Sequence, residues 1–318
     1  MADSVLLCDF SAGTYVTMAL ARAGHRPPEG TRYSCPTDDD FHDALADFLK
    51  AHGRPILKGA AVASRGWEEG GVVHLPEAGM TLVREQLRDL LSVRRLNLVN
   101  NFVARALAIP RLRPDEFEHI CGGPGSDDQI IAVLGPHYGL GVASLAPDGL
   151  GGWTAMPCEG GHSDLAALTD REWQVVRKLR ERHGRVTREN VLSMDGIVEL
   201  WQVLNEIEGG EVRPATAQEV ITMARQGDRP IAREAVKLCT GWLAAMAADV
   251  GLLTGARGGI YLTGDLMDLL YDGLFDRDAF TRRYQDKGRL SDYVSRIPVY
   301  KTLTKDLELV GLATLFES

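Results

Sequence analysis

No two cysteines in this sequence are spaced to hold a metal ion or a redox disulfide. Cys8, Cys35, Cys121, Cys158 and Cys239 are scattered, odd in number and without a C-x-x-C pair, so reduced thiols are expected. The opening Met1-Ala2-Asp3-Ser4 lacks the basic and apolar regions of a secretory signal. The longest apolar run, around residues 242–253, is interrupted by Asp249 and reads as too short to span a bilayer. Positive charge is in deficit, with 35 Lys+Arg against 44 Asp+Glu and a net charge of −9. That excludes nonspecific nucleic-acid binding through a basic surface, while leaving room for a phosphate held by local backbone N–H groups. Low-complexity tracts and short-period repeats are absent. The expectation is a soluble, cytoplasmic protein with no nucleic-acid or membrane partner.

What is present is ordinary globular composition, 45% hydrophobic and 25% charged over 318 residues, enough for one large or two medium cores. Residues 5–9 and 15–20 are β-rich runs joined by Ser11-Ala12-Gly13-Thr14 and read as a hairpin. Asp38-Asp39-Asp40 before Phe41, Leu45, Phe48 and Leu49 predicts a helix that stops near Gly53. Strands are predicted at 59–64, about 72–73 and 96–99, with a helix over 81–91. Pro110 and Pro114 mark a candidate boundary. A second cycle follows, with strands at 129–134, 142–146 and 153–156. Helices begin at the capping boxes Thr169-x-x-Glu172 and Thr216-x-x-Glu219, with others over 195–207 and 231–253, and a last clear strand covers 260–263. Alternation of this kind implies an α/β layer architecture. The two similar openings, strand–turn–strand, hint at a duplication.

Chemistry is expected at strand ends, where open α/β sheets bind ligands. Asp9, before a turn of small residues, suits a phosphate or its magnesium, or is a plain hairpin acid. The glycines of Gly135-Pro136-His137-Tyr138-Gly139-Leu140-Gly141 permit an anion nest, although Pro136 removes a donor; a simple turn is the other reading. Glu159-Gly160-Gly161-His162 places an acid and an imidazole on one tight loop, able to bond a cluster of hydroxyls, or is a Gly-rich turn with a solvated acid.

The stretch Cys158-Glu159-Gly160-Gly161-His162-Ser163-Asp164 resembles the Glu-Gly-Gly-His-x-Asp loop of bacterial glucokinases. Leu98-Val99-Asn100-Asn101-Phe102, Gly139-Leu140-Gly141, Glu189-Asn190-Val191, Gly258-Gly259-Ile260-Tyr261-Leu262-Thr263-Gly264, Asp286-Lys287-Gly288-Arg289 and Ile297-Pro298-Val299-Tyr300 resemble further family segments, in order. The resemblance implies a two-domain hexokinase/actin-like (ribonuclease H-like) α/β fold with a central cleft. Residues 1–108, completed by 302–318, would form the small domain and 109–301 the large one. It also implies ATP-dependent phosphorylation of glucose and a homodimer. Sugar contacts would fall to Asn100, Glu159, His162 and Glu189. ATP would lie against Asp9, Gly13, Thr14, Gly139 and Gly264, with Asp9 facing Mg²⁺ indirectly.

Four departures concern the reaction rather than the sugar. Asn101 stands where the family has the Asp that takes the proton of the sugar 6-hydroxyl, and an amide cannot accept it. The first loop, Asp9-Phe10-Ser11-Ala12-Gly13-Thr14-Tyr15, is one residue longer and has lost a glycine pair. Tyr138 replaces a Thr beside the bulkier Pro136 and His137. Asp265 replaces the second glycine after the adenosine strand. The expectation is a hexose-binding protein with lost or greatly reduced phosphoryl transfer; the alternative is an active enzyme with a rebuilt nucleotide site.

Overall fold

The computed structural model describes residues 3–11, 13–66, 68–75, 79–210, 212–227 and 229–317. They form two compact α/β units, one of residues 1–116 with 303–318 and one of residues 117–302. The first runs past the break expected after residue 108. Glu116 ties it together: its carboxylate accepts from Arg26 Nη2 (2.5 Å) and the Arg113 N–H (2.8 Å), and its carbonyl from the Leu303 N–H (2.7 Å).

The first unit contains β1 (Ser4–Phe10), β2 (Tyr15–Arg22), β3 (Thr31–Ser34), α1 (Asp38–Ala51), β4 (Leu57–Ser64), β5 (Val72–Leu75), β6 (Met80–Val83), α2 (Arg84–Leu90), β7 (Leu96–Asn100) and α3 (Asn101–Ala108). Its main sheet has the order β3-β2-β1-β4-β7, antiparallel across β3, β2 and β1 and parallel across β1, β4 and β7. Alternation along β1 sends Leu6, Cys8 and Phe10 to the core under α1, and Val5 and Leu7 to the opposite core. The predicted helix over 81–91 is instead strand β6 followed by α2. Met80, Thr81, Leu82 and Val83 alternate in burial and pair antiparallel with β5, and tertiary pairing overrides the helical reading there.

The second unit contains β8 (Phe117–Cys121), β9 (Ile131–Pro136), β10 (Leu140–Pro147), β11 (Trp153–Cys158), α4 (Asp170–His183), α5 (Met194–Ile207), α6 (Ala217–Gln226), α7 (Pro230–Thr254), β12 (Gly259–Leu262), α8 (Asp265–Tyr271), α9 (Arg277–Gln285), α10 (Ser291–Val294) and β13 (Val299–Thr302). Its sheet order is β11-β10-β9-β12-β13-β8. The run β11-β10-β9-β12-β13 repeats the plan of β3-β2-β1-β4-β7: an antiparallel three-strand meander, then two parallel strands. Strands β3, β8 and β13 carry no strong period in the sequence and become strands through their neighbours.

Helix α7, expected over 231–253, runs from 230 to 254 and by length and composition is long and apolar enough to cross a membrane, where the run at 242–253 was read as too short. Here it is a core helix, with Trp242, Leu243, Met246 and Ala247 buried and the Trp242 indole N–H bonded to the Ala166 carbonyl at 2.8 Å. The chain returns to the first unit as α11 (Leu307–Thr314), which packs on α3. The contact is backbone on backbone: a Cβ at Gly311 would lie 1.7 Å from the Ala104 carbonyl oxygen. Gly311→Ala is therefore expected to cost about 3 kcal/mol or more, read as a large drop in denaturant midpoint or loss of soluble protein.

Candidate active site

In the first unit the register places Phe10, Ser64 and Asn100 in one row at the ends of the parallel strands β1, β4 and β7. Asn100 ends β7 and caps α3. Its Oδ1 accepts from the N–H groups of Phe102 (2.8 Å) and Val103 (3.4 Å), and its Nδ2 donates to the Gly66 carbonyl (2.7 Å). Asn101 is the first residue of α3 and is buried, 3% exposed. Ser64, beside Asn100 in the row, is a residue the sequence did not single out. Its hydroxyl is buried and has no hydrogen-bond partner among the described residues.

Asp9 lies on the opposite face of β1, with Val5 and Leu7. Its Oδ1 accepts from the N–H (3.0 Å) and hydroxyl (2.5 Å) of Ser11. Beneath it, Arg105 Nε donates to Glu308 Oε1 at 2.6 Å, both side chains 7% exposed. Burial, and then the negative charge of Glu308, push the Asp9 carboxyl well above the ordinary carboxylate range, against the smaller opposing pull of Ser11 and Arg105. Asp9 is the carboxyl that would face Mg²⁺ through water in the expected role, and a cation there would draw it back towards its charged form. Among the described residues there is no cluster of three or more metal-ligating side chains. Gly13 and Thr14 lie half-buried in the hairpin turn; Ala12 is outside the described residues.

In the second unit three motifs meet on one residue, Leu140. The seven-residue glycine loop is shorter than predicted, because Leu140 pairs with Pro136 and Gly141 with Gly135 in the β9–β10 ladder. Only His137, Tyr138 and Gly139 remain outside the strands, and the His137 N–H is taken by the Gly139 carbonyl at 2.8 Å. The Leu140 N–H donates to Glu189 Oε2 at 2.8 Å, with that oxygen only 2.7 Å from where a Cβ on Gly139 would lie. On the next peptide, a Cβ on Gly161 would lie 2.0 Å from the Leu140 carbonyl oxygen. Only glycine fits under that carbonyl.

The Glu-Gly-Gly-His loop is one 3-10 turn, Gly160–His162, entered from the end of β11. Glu159 and His162 are both exposed, with no side-chain hydrogen bond among the described residues. Glu189 sits on the neighbouring turn Arg188–Asn190, stapled by a capping box between Thr187 and Asn190. The two turns are joined by the Asp164–Thr187 bridge and by the Arg188 N–H donating to the Ser163 carbonyl at 3.0 Å. Asp249, the acid that interrupts the apolar helix α7, holds the second turn from below. It accepts from Arg188 Nη2 at 2.8 Å and from Lys287 Nζ at 2.5 Å. The sequence carried a signal for this anchor, the one charged residue in the apolar run 242–253 of α7. Glu159, His162 and Glu189 are thus brought together in one unit, whereas Asn100 belongs to the other.

Gly264 precedes α8 with φ +103°, and a Cβ there would lie 2.4 Å from the Pro136 carbonyl oxygen. This close approach brings Asp265 to the buried His137: Nδ1 lies 3.3 Å from Asp265 Oδ2 and 3.4 Å from the Asp265 N–H. Tyr138, 42% exposed, sets its ring edge-on to His137 at 4.7 Å.

Over residues 7–318 the chain matches the glucokinase family. It belongs to that family. It is 38% identical over 304 residues to a glucokinase-like protein of Caulobacter vibrioides, covering 96% of this chain and 94% of the relative. It is 34% identical over 311 residues to a glucokinase of Aromatoleum aromaticum, covering 96% and 92%. The structure resembles a glucokinase from an Antarctic psychrotroph, with a TM-score of 0.86, 26% identity and 99% of each chain covered. The expected two-domain α/β fold of glucokinases is the fold observed. A glucokinase from Balamuthia mandrillaris, solved with glucose, shares that fold at a TM-score of 0.85 and 18% identity, over 99% of this chain and 94% of that one.

Within this glucokinase-family chain, two outcomes test the geometry. The unfolded chain releases the Asp9 proton near pH ~4 while the folded chain retains it. The native state then binds more protons, and stability falls as pH rises above that value. Asp9→Asn is expected to be more stable than the wild type at about pH 8, with the gap closing towards about pH 4, in denaturant titrations at both. Gly161→Ala is expected to leave the first unit folded but distort the second-unit loop, seen as loss of amide protection at Leu140 in hydrogen exchange.

Proposed function

We propose that this member of the glucokinase family binds a hexose, glucose foremost, through Glu159, His162, Glu189 and Asn100, and transfers phosphate from ATP slowly or not at all. The observation that carries the reading is Asn101. It occupies the first turn of α3, next to the capping Asn100, where the family resemblance places the base. A neutral amide cannot take the proton of the 6-hydroxyl, and loss of a general base costs about 10²–10⁴ in rate. Phosphoryl transfer rests mainly on positioning and charge neutralisation, and those parts are altered as well. The Leu140 and His137 N–H groups of the second loop are already bonded inside the protein.

The sugar side supports binding. Glu159 and His162 project free polar groups from a turn that Gly161, the Asp164–Thr187 bridge and Asp249 hold in place. Asn100 is already committed to capping, so its hexose contact would use lone pairs and protons beyond those bonds. By family resemblance the protein would work in the cytoplasm as a homodimer.

A second reading has its own observation. His137 contacts both Tyr138 and Asp265, as expected of a nucleotide site rebuilt around new side chains. Such a site would serve an active glucokinase using ATP or another donor.

The test is thermal denaturation with glucose and with ATP–Mg²⁺, followed by a coupled glucose 6-phosphate assay. The expected result is a higher Tm with glucose, no rise with ATP–Mg²⁺, and little product. Turnover at ordinary kinase rates would overturn the proposal and favour the rebuilt site; no response to glucose would overturn the hexose assignment. Asn101→Asp is expected to raise turnover by about 10²-fold or more where the donor still binds.

A further inference from the structure

One residue assigned to neither sugar nor nucleotide, Arg188, joins both acid-bearing turns of the second unit to helix α7. Its N–H donates to the Ser163 carbonyl (3.0 Å), next to the Glu159–His162 loop, and its carbonyl accepts from the Val191 (3.2 Å) and Leu192 (3.0 Å) N–H groups. Its Nη2 donates to Asp249 Oδ2 at 2.8 Å, and its Nε lies 3.5 Å from the Asp164 carbonyl oxygen, at the limit of a hydrogen bond. The next residue in the chain is Glu189.

Asp249 is shared between two cations. Its other oxygen, Oδ1, accepts from Lys287 Nζ at 2.5 Å, and Lys287 is itself held by its N–H on Ser291 Oγ at 3.1 Å. The side chains of Arg188, Asp249 and Lys287 are 15%, 29% and 19% exposed. Water screens them only partly, so removing one member leaves the others poorly paired.

Glu189 is placed from both ends. On its C-terminal side its carbonyl accepts from Ser193 Oγ at 2.9 Å, at the start of α5. On its N-terminal side stands Arg188. Between them its carboxylate reaches the Leu140 N–H at 2.8 Å, and a backbone shift of about 1 Å would carry that contact beyond hydrogen-bond reach. We propose that Arg188 is a positioning residue for the hexose: through Asp249 and Lys287 it fixes Glu189 and the neighbouring Glu159–His162 turn, and so sets sugar affinity. The inference rests on the hexose reading given above. Asp249 acts as the common post. Loss of Arg188 leaves the turn untethered, and Asp249→Asn leaves two cations facing a neutral amide.

The test is calorimetric titration of glucose into the full chain as wild type, Arg188→Met, Arg188→Lys, Asp249→Asn and the double variant Arg188→Met/Asp249→Asn. Arg188→Met and Asp249→Asn are each expected to weaken glucose by about tenfold, the worth of one charge-assisted hydrogen bond. Arg188→Lys, which keeps a cation opposite Asp249, is expected to recover most of that loss. The double variant is expected to bind no more weakly than either single one, since residues acting as one unit are not additive. Equal affinity in wild type and Arg188→Met, or a double loss equal to the product of the single ones, overturns the inference and leaves the hexose reading standing. A wild type that does not bind glucose overturns the hexose reading, and the claim on affinity with it. Hydrogen exchange at the Leu140 amide decides the positioning of Glu189 without any sugar. Its protection is expected to fall in Arg188→Met and to persist in Arg188→Lys; unchanged protection in Arg188→Met overturns the positioning role. Where Arg188→Met gives no soluble protein, Asp249→Asn carries the same comparisons.

Discussion

The turns that carry Glu159, His162 and Glu189 depend on how one residue, Leu140, is held. Its N–H is taken by the Glu189 carboxylate and its carbonyl is pressed by the backbone of Gly161, so one rigid ladder residue fixes two turns that are distant in sequence. A hydrogen bond to a charged acceptor is worth more than a neutral one, and the carbonyl contact admits no side chain at all. The result is that Glu159, His162 and Glu189 are oriented by a sheet rather than by loops. That is how a polar site acquires the precision needed to discriminate hydroxyl patterns. The same bond means that Glu189 does two jobs: a sugar that recruits its carboxylate must share it with, or take it from, the Leu140 N–H.

The first unit uses a different device. Asp9, Arg105 and Glu308 place two carboxyls and one guanidinium in the interior, where desolvation penalises every net charge. Arg105 and Glu308 satisfy one another, which leaves Asp9 as the group that stays neutral by keeping its proton. Arg105 comes from one turn below Asn101 on α3, and Glu308 from α11, which is locked to α3 at Gly311. The charge state at the end of β1 is therefore set by the packing of the C-terminal helix. A carboxylate at position 101 would be a further acid on a helix whose next turn already serves this cluster.

Much of this was readable from residue order, for identifiable reasons. The helices opening at Thr169 and Thr216 were legible because a capping box is local chemistry. The β1–β2 hairpin and the long α7 were legible from period and small residues. Illegible were β6, β8 and β13, which are strands because a neighbour pairs with them, and the true length of the second loop. There Gly135 and Gly141, residues that invite a nest, are absorbed into the ladder by register. At the candidate site, Glu159 and His162 were picked out by the Glu-Gly-Gly-His segment. Ser64 and the hold on Leu140 were not, since each matters through a contact across many residues.

The departures from the family pattern take on a different meaning in space. As letters in a sequence, His137, Tyr138 and Asp265 are separate losses, the last of them 128 residues from the first. In the structure they are one cluster, brought together because Gly264 lets the start of α8 close on the Pro136 carbonyl. The histidine nitrogen faces both a carboxylate and a backbone N–H of the same residue, so the contact is met whichever tautomer the ring adopts. Three independent losses would have no reason to be complementary. The cluster, buried at His137 and edged by Tyr138, is a single packing unit, while the turns carrying Glu159, His162 and Glu189 have separate supports in the Asp164–Thr187 bridge and Asp249.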